Sequence, residues 1–215
     1  MLVPIICLAI TVAYLLLAEE LWRHKVLHGE AERKFVHIGV GSFVASWPWL
    51  MSFHWITVIG AILLAGVIAN RLFHSSHLLG EVRRTSIGDL LLPIAIMVCS
   101  VLTHQKLFFV LAMLHLGWAD GLAALVGENF TVRWSYHVLG QVKTVVGSLS
   151  FWLVSAALLT AAAPFMSGLI SADHYALLVF LLPMVLTALE AIGVFGVDNI
   201  FVPVAVVLVL RLAQS

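Results

Sequence analysis

Long apolar runs alternate with short polar connections along almost the whole chain. They predict spans at residues 2–18, 36–53, 55–69, 90–103, 107–126, 147–167, 175–192 and 200–212. About 20 apolar residues cross a bilayer as one helix, and continuous runs are not the short alternating segments of a β-barrel. The pattern therefore predicts an all-α, polytopic membrane bundle of about seven to eight transmembrane helices. This single transmembrane domain covers residues 1–215 and leaves no room for a soluble domain.

Composition supports a membrane protein and excludes a water-soluble globule. Apolar residues make up 62% of the chain and charged residues only 10%, against about 45–50% and about 25% in soluble domains. Eleven basic residues balance eleven acidic ones, so there is no basic surface of the kind that binds nucleic acid.

The basic residues are placed unevenly. Most lie in the connections 19–35, 70–89 and 127–146, whereas the alternate connections hold Lys106 alone. Because cytoplasmic loops collect Lys and Arg, these three connections are predicted to face the cytoplasm, with the N-terminus outside. The connection 193–199 falls on the same side. The polar clusters at about 30–41, 115–148 and 190–203 are therefore expected at one face of the membrane, the cytoplasmic one.

The first cluster precedes and enters the second span. Glu30, Arg33, Lys34 and His37 are spaced i, i+3, i+4 and i+7, which places them on one face of a helix. Arg and Lys on such a face suit phosphate oxygens. The alternative is a basic anchor at the membrane surface that pairs internally with Glu30.

The second cluster surrounds an acid inside an apolar span. Asp120 follows His115 and precedes Glu128, and a carboxylate in such a span is a functional-site candidate because it costs about 2.5–3.5 kcal/mol to insert. Small residues that allow close approach flank it at Gly117, Gly121, Ala124 and Gly127. The alternative is a helix-packing seam with Asp120 hydrogen-bonded inside it.

The third cluster lies where the sixth span begins. Lys143, Gly147 and Ser150 are predicted on one helical face, and Thr144 and Ser148 lie beside them. The N–H groups and dipole of a helix N-terminus suit an anion, and Lys143 adds a full positive charge. A capped span start with a flanking cation explains the same residues without a ligand.

The fourth cluster joins the last two spans. Glu190, Asp198 and Asn199 lie close together in a connection that contains no Lys or Arg. Oxygen ligands suit Mg²⁺, which also bridges to phosphates. The alternative is a glycine-rich turn with Asp198 capping the last helix.

A fifth polar stretch contains Arg83, Arg84, Ser86 and Asp89, and we interpret its arginines as a membrane-surface anchor. Together, cations and acids at one face suit phosphoryl transfer, in which positive groups and Mg²⁺ neutralise phosphate charge and a carboxylate orients the attacking hydroxyl. A nucleotide would arrive from the cytoplasm and a lipid acceptor laterally from the bilayer.

The four main clusters, in this order, resemble the CTP-dependent lipid kinase family, which includes phytol kinases, dolichol and other polyprenol kinases, and CTP-dependent diacylglycerol kinases. The matching residues are Glu32, Arg33, Lys34, His37 and Gly41; Ala119, Asp120, Ala123, Ala124 and Gly127; Lys143, Thr144, Gly147 and Ser148; and Glu190, Gly193, Asp198, Asn199 and Pro203. Val146 stands where many dolichol-type members have Glu, which leans toward the phytol kinase branch.

The resemblance implies transfer of the γ-phosphate of CTP to the hydroxyl of an isoprenoid alcohol or of diacylglycerol, with Mg²⁺ or another divalent cation. It implies catalytic roles for Asp120, Lys143, Arg33 and Lys34, and a metal site at Asp120, Glu190 and Asp198. The implied nucleotide-binding residues are Arg33, Lys34, His37, Gly127, Lys143, Thr144, Gly147, Ser148 and Asn199.

Two other functions fit parts of the pattern. A CTP:phosphatidate-type cytidylyltransferase uses the same nucleotide in the same setting. A small ion- or proton-coupled transporter could pass ions along Glu190, Asp120 and His37, and it predicts sites near the bilayer midplane on broken helices.

Overall fold

The computed structural model describes residues 2–26, 29–73, 87–128 and 134–214, with the backbone alone for residues 29 and 30. The side chain of Glu30 and residues Arg83, Arg84 and Ser86 therefore lie outside the described residues.

Helices dominate the described chain. They are α1 (Leu2–Arg23), α2 (Gly29–Leu50), α3 (Phe53–Phe73), α4 (Gly88–Leu102), α5 (Lys106–Leu114), α6 (Asp120–Glu128), α7 (Val145–Met166), α8 (Ala172–Ile192) and α9 (Asp198–Ala213). A π turn at His115–Ala119 joins α5 to α6, so Lys106–Glu128 forms one continuous helix.

Every predicted apolar span coincides with a helix, which confirms the helical membrane bundle. Five of these helices are long and apolar enough to cross a bilayer: Leu2–Arg23, Phe53–Phe73, Lys106–Glu128, Val145–Met166 and Ala172–Ile192. Helix α4 is apolar but has only 15 residues. The expected total of seven to eight crossings stays a prediction.

The prediction of an all-α chain is wrong at one place. Strands β1 (Ser135–Val138) and β2 (Gln141–Thr144) form an antiparallel hairpin. Its two turn residues, Leu139 and Gly140, have φ values of 48° and 82°, as tight two-residue hairpin turns require. Lys143 therefore lies on a strand, and the expectation that it shares a helical face with Gly147 and Ser150 is wrong as well.

The helix Lys106–Glu128 is the centre of the bundle. In its most apolar window 61% of residues are buried, against 22–28% in the other four candidate spans. It packs against α2, α7 and α9, while α3 pairs with α4 and α8 packs on α7 and α9. Large apolar side chains remain exposed on the outer helices, among them Leu16, Leu153 and Phe180, as expected of a surface that faces lipid rather than water.

Hydrogen bonds join several connections at one end of the bundle. Arg71, at the end of α3, forms a bidentate ion pair with Asp89 at the start of α4. The N–H of Ile87 donates to the carbonyl of Phe195 over 3.0 Å, which brings the α8–α9 connection to the start of α4. Asp89 is thus part of a helix-joining ion pair, a contact that the sequence analysis did not predict.

Candidate active site

A buried ion pair joins α2 to α6. The Nζ of Lys34 donates to Oδ2 of Asp120 over 2.5 Å, and the side chains are 1% and 9% exposed. His37, one turn further along α2, places Nδ1 3.8 Å from the same oxygen. Arg33 is half-buried and close enough to interact electrostatically with Asp120. The predicted cationic face of α2 therefore exists, and its partner is the acid of the second cluster.

A second ion pair joins the hairpin to the end of α8. Lys143 donates to the carboxylate of Glu190 and, over 3.0 Å, to the Glu190 carbonyl. Its Nζ also lies 3.9 Å from Oδ2 of Asp198. Burial lowers the pKa of Lys143, but the charges of Glu190 and Asp198 raise it by more, so that the pKa lies above its usual value. Lys143 is therefore a cation at neutral pH.

Three carboxylates from three helices meet between these lysines. Asp120, Glu190 and Asp198 each offer one oxygen, and these oxygens all lie within 4.8 Å of one another. Hard cations bind oxygen ligands at about 2.0–2.6 Å, so oxygens this close together can surround a single ion. The donor set therefore fits Mg²⁺, and no other such cluster of acids, histidines or cysteines occurs in the described part of the chain.

Glycines allow the backbones around the site to approach closely. A Cβ at Gly193 would lie 2.6 Å from Cβ of Asp198, so a side chain there would push Asp198 away from Glu190. Gly127 and Gly147 face one another where α6 crosses α7, and a Cβ on either would lie 3.4 Å from Cα of the other. Their observed contacts are those of helix packing, and their predicted role in nucleotide binding stays a prediction.

Three other predicted nucleotide-binding residues take part in structural hydrogen bonds. Thr144 caps α7, since its Oγ1 accepts from the N–H of Gly147 over 3.1 Å. Ser148 shares a hydrogen bond of 2.6 Å with the hydroxyl of Tyr136 on β1. Asn199 is buried, and its Nδ2 donates to the Gly88 carbonyl over 3.0 Å. These contacts hold the hairpin, α7, α9 and α4 around the carboxylates.

Two contributors to this frame escaped the sequence analysis. Tyr136 lies in a short strand with no apolar run to mark it. Ser155 is completely buried in α7, where its Oγ lies 2.9 Å from Nε2 of His115. The available signal for Ser155 was a polar residue in an apolar span. This signal is weak, because serines and threonines in membrane helices often hydrogen-bond to the carbonyl four residues earlier in the same helix. Four residues in the described helices do so: Thr11, Ser150, Thr160 and Thr187.

The four main clusters thus meet in one place, as the sequence analysis expected. Glu190 lies two residues before the end of α8, and Asp198 is the first residue of α9. Glu190 and Asp198 therefore lie at helix ends, whereas Asp120 lies inside the continuous helix Lys106–Glu128. The two acids at helix ends differ from the midplane sites that a transporter path predicts.

Comparison with known proteins identifies one curated relative of this chain. The chain is 31% identical over 202 residues to a phytol kinase of Synechocystis sp. (strain ATCC 27184 / PCC 6803 / Kazusa), an alignment that covers 92% of this chain and 85% of that protein. No family model matches the chain, and no solved structure matches it. The extent of this relationship shows that the chain belongs to the CTP-dependent lipid kinase family, the family that its motifs resemble.

Proposed function

We propose that this lipid kinase transfers the γ-phosphate of CTP to the hydroxyl of an isoprenoid alcohol of the phytol or polyprenol type. The observation that carries the proposal is the meeting of three carboxylates between two buried or half-buried lysines. Phosphoryl transfer needs such a site, because it depends on positioning and on neutralising phosphate charge rather than on covalent chemistry with the protein.

In the proposed step, the lipid hydroxyl oxygen forms a bond to the γ-phosphorus of CTP. The bond from that phosphorus to the bridging oxygen breaks, and CDP leaves with the electron pair. We assign Asp120 to orient the hydroxyl and to accept its proton, because this buried carboxylate lies between the cationic face of α2 and the carboxylates of Glu190 and Asp198. A carboxylate in this role typically contributes about 10²–10⁴-fold to the rate.

The carboxylates of Asp120, Glu190 and Asp198 are the residues that would hold the divalent cation. When bound, the cation supplies positive charge to the phosphate oxygens. Lys34 and Lys143 now pair with two of these carboxylates. In the proposed complex they turn toward the phosphates with Arg33, which offers a bidentate fork.

The choice of CTP as the donor and of an isoprenoid alcohol as the acceptor is based on the family to which the chain belongs. The related protein is named a phytol kinase, which favours an isoprenoid alcohol over diacylglycerol. The basic connections favour a site that opens to the cytoplasm, where a nucleotide is available. The acceptor would enter sideways between apolar helices whose outer faces are exposed.

The test is an assay of the purified protein with CTP labelled at either the γ- or the α-phosphate, against phytol, a longer polyprenol, diacylglycerol and phosphatidate, the acceptor of a cytidylyltransferase. We expect label from γ-labelled CTP in phytol or the polyprenol, and none from α-labelled CTP. Lipid labelled only from α-labelled CTP would identify a cytidylyltransferase and contradict the proposal. Lys106→Met, which alters a cation outside the site, is the control variant and should retain activity.

A further inference from the structure

The central helix changes its winding immediately before Asp120. At His115–Ala119 the helix makes a π turn, and the N–H of Asp120 donates to the carbonyls of His115 and Gly117. A π turn fits one more residue into the helix than an α-turn does. Since each residue of an α-helix turns the chain by about 100°, everything after the π turn faces a direction about 100° away from its position in a regular helix.

This rotation determines what α6 presents to its neighbours. Asp120 is the first residue after the turn and meets Lys34 of α2. Gly127 lies further along α6 and meets Gly147 of α7. If the helix had no π turn and its first half kept the same position, Asp120 and Gly127 would each be rotated by about 100° away from their present partners. The π turn therefore brings Asp120 to Glu190 and Asp198.

Side chains hold the π turn from two sides. His115 is completely buried, with Nδ1 2.7 Å from the Leu111 carbonyl and Nε2 2.9 Å from Oγ of Ser155 on α7. Because the carbonyl can only accept, Nδ1 of the neutral ring donates and Nε2 accepts from the serine. On the other side, Nε1 of Trp118 donates over 2.7 Å to Oγ of Ser42 on α2.

The turn also needs Gly117 at its centre. A Cβ at this position would lie 3.1 Å from the His37 carbonyl and 3.4 Å from Cα of Gly41. Helix α2 can therefore press against the π turn itself, and this close contact brings Lys34 and His37 to Asp120. The π turn is therefore packed between α2 and α7, and the hydrogen bonds of His115 and Trp118 fix its position there.

We propose that His115 and Trp118, through Ser155 and Ser42, are positioning residues that fix the π turn and so aim Asp120 at the cation site. None of them contacts the three carboxylates directly in the hydrogen bonds described. The inference rests on the proposed function only in taking Asp120 as a cation ligand.

The test compares Ser155→Ala and Trp118→Phe, each of which removes one hydrogen bond to the turn. Ser155→Ala keeps the shape of the side chain, and Trp118→Phe keeps an aromatic ring at a position that is 43% exposed. The readouts are Mn²⁺ affinity by electron paramagnetic resonance, kcat, and KM for the lipid. We expect each variant to bind Mn²⁺ about three- to tenfold more weakly and to lose kcat by a similar factor, with KM for the lipid unchanged. Ser46→Ala is the control, because Ser46 donates within its own helix to the Phe43 carbonyl.

Two results would overturn the inference: Mn²⁺ affinity in Ser155→Ala and Trp118→Phe equal to that of the wild type, or losses matched by Ser46→Ala. The proposed function fails separately. If the wild type binds Mn²⁺ but transfers no phosphate from CTP, the kinase proposal falls, while the Mn²⁺ measurements still decide the role of the turn.

Discussion

At the scale of single residues, the ion pair of Lys34 and Asp120 is the most costly feature of the site. A carboxylate in a membrane helix costs about 2.5–3.5 kcal/mol to insert, and burying its partner adds a further desolvation penalty. A membrane anchor does not require Lys34 to be buried, and a packing seam with Asp120 hydrogen-bonded inside it does not require a charged partner. The pair is therefore best explained by the chemistry that we propose for Asp120.

Asp120→Asn separates this chemical role from the structural one. We expect phosphoryl transfer to fall by at least about 100-fold, because the amide binds a cation poorly and accepts no proton. We also expect the free energy of unfolding to drop by about 3–5 kcal/mol, because the buried Lys34 loses the carboxylate to which it donates. Activity and denaturation measurements in detergent check both.

The matched control is the double variant Lys34→Met/Asp120→Asn, which removes both charges together. It should recover most of the lost stability, since neither charge is then buried alone, while phosphoryl transfer stays lost. If Asp120→Asn kept normal turnover, Asp120 would have no catalytic role.

Lys143 is expected to act mainly on the nucleotide. Replacing it in Lys143→Met removes a charged hydrogen-bond donor worth about 1.5–3 kcal/mol, so KM for CTP should rise by about 10- to 100-fold. Steady-state kinetics with varied CTP measure this rise. An unchanged KM in Lys143→Met would remove Lys143 from the phosphate site, and Lys106→Met provides the comparison at the other end of the bundle.

The sequence identifies the candidate residues better than their partners. Asp120, Lys143 and Glu190 stand out because each charge lies in or beside an apolar span. Their pairing is a matter of tertiary distance, since Lys34 and Asp120 lie 86 residues apart. Arg71 and Asp89 lie 18 residues apart on different helices, so their ion pair could not be predicted from spacing along one helix either.

At the scale of elements, hydropathy predicts the helices well because each span must bury about 20 residues in lipid. It does not predict the hairpin, whose two strands have only four residues each and bury little apolar surface. The π turn leaves no pattern in the sequence either, because it depends on the packing and hydrogen bonds that α2 and α7 make with the central helix. Both missed elements lie directly at the site.

The crossing of α6 and α7 gives a prediction at this scale. In Gly147→Val, the new Cβ would meet Oγ1 of Thr144 at 2.8 Å and the Ala123 carbonyl at 3.0 Å. Separating the helices to relieve these contacts should cost about 1–3 kcal/mol of unfolding free energy, measurable by denaturation in detergent.

Gly66→Val on α3 is the matched substitution, because a Cβ at Gly66 has nothing within 4 Å. It should leave stability nearly unchanged. Equal destabilisation by both substitutions would show that the α6–α7 crossing has no special need for glycine.

At the scale of the whole molecule, the bundle has two chemically different ends. The site, the hairpin and the start of α4 lie at one end, with Arg33, Lys34, Arg71 and Lys143. At the other end, Arg211 donates to the Leu102 carbonyl, near Lys106. This asymmetry leads us to propose that the site end faces the cytoplasm.

Cysteine labelling tests the orientation. The native Cys7 and Cys99 are both buried and should react little, so single cysteines can be added at exposed positions. An impermeant thiol reagent outside intact cells should label His104→Cys and not His137→Cys, and inverted vesicles should show the reverse. The opposite pattern would place the site outside the cytoplasm.

The central claim is that carboxylates far apart in the chain surround one divalent cation. Iron-directed cleavage tests it most directly, because Fe²⁺ bound in place of Mg²⁺ generates radicals, with ascorbate and peroxide, that cut only the nearby backbone. We predict cuts in two zones, around residue 120 and around residues 190–198, and both should disappear in excess Mg²⁺. Cuts in one zone alone, or cuts that Mg²⁺ leaves unchanged, would contradict the shared site.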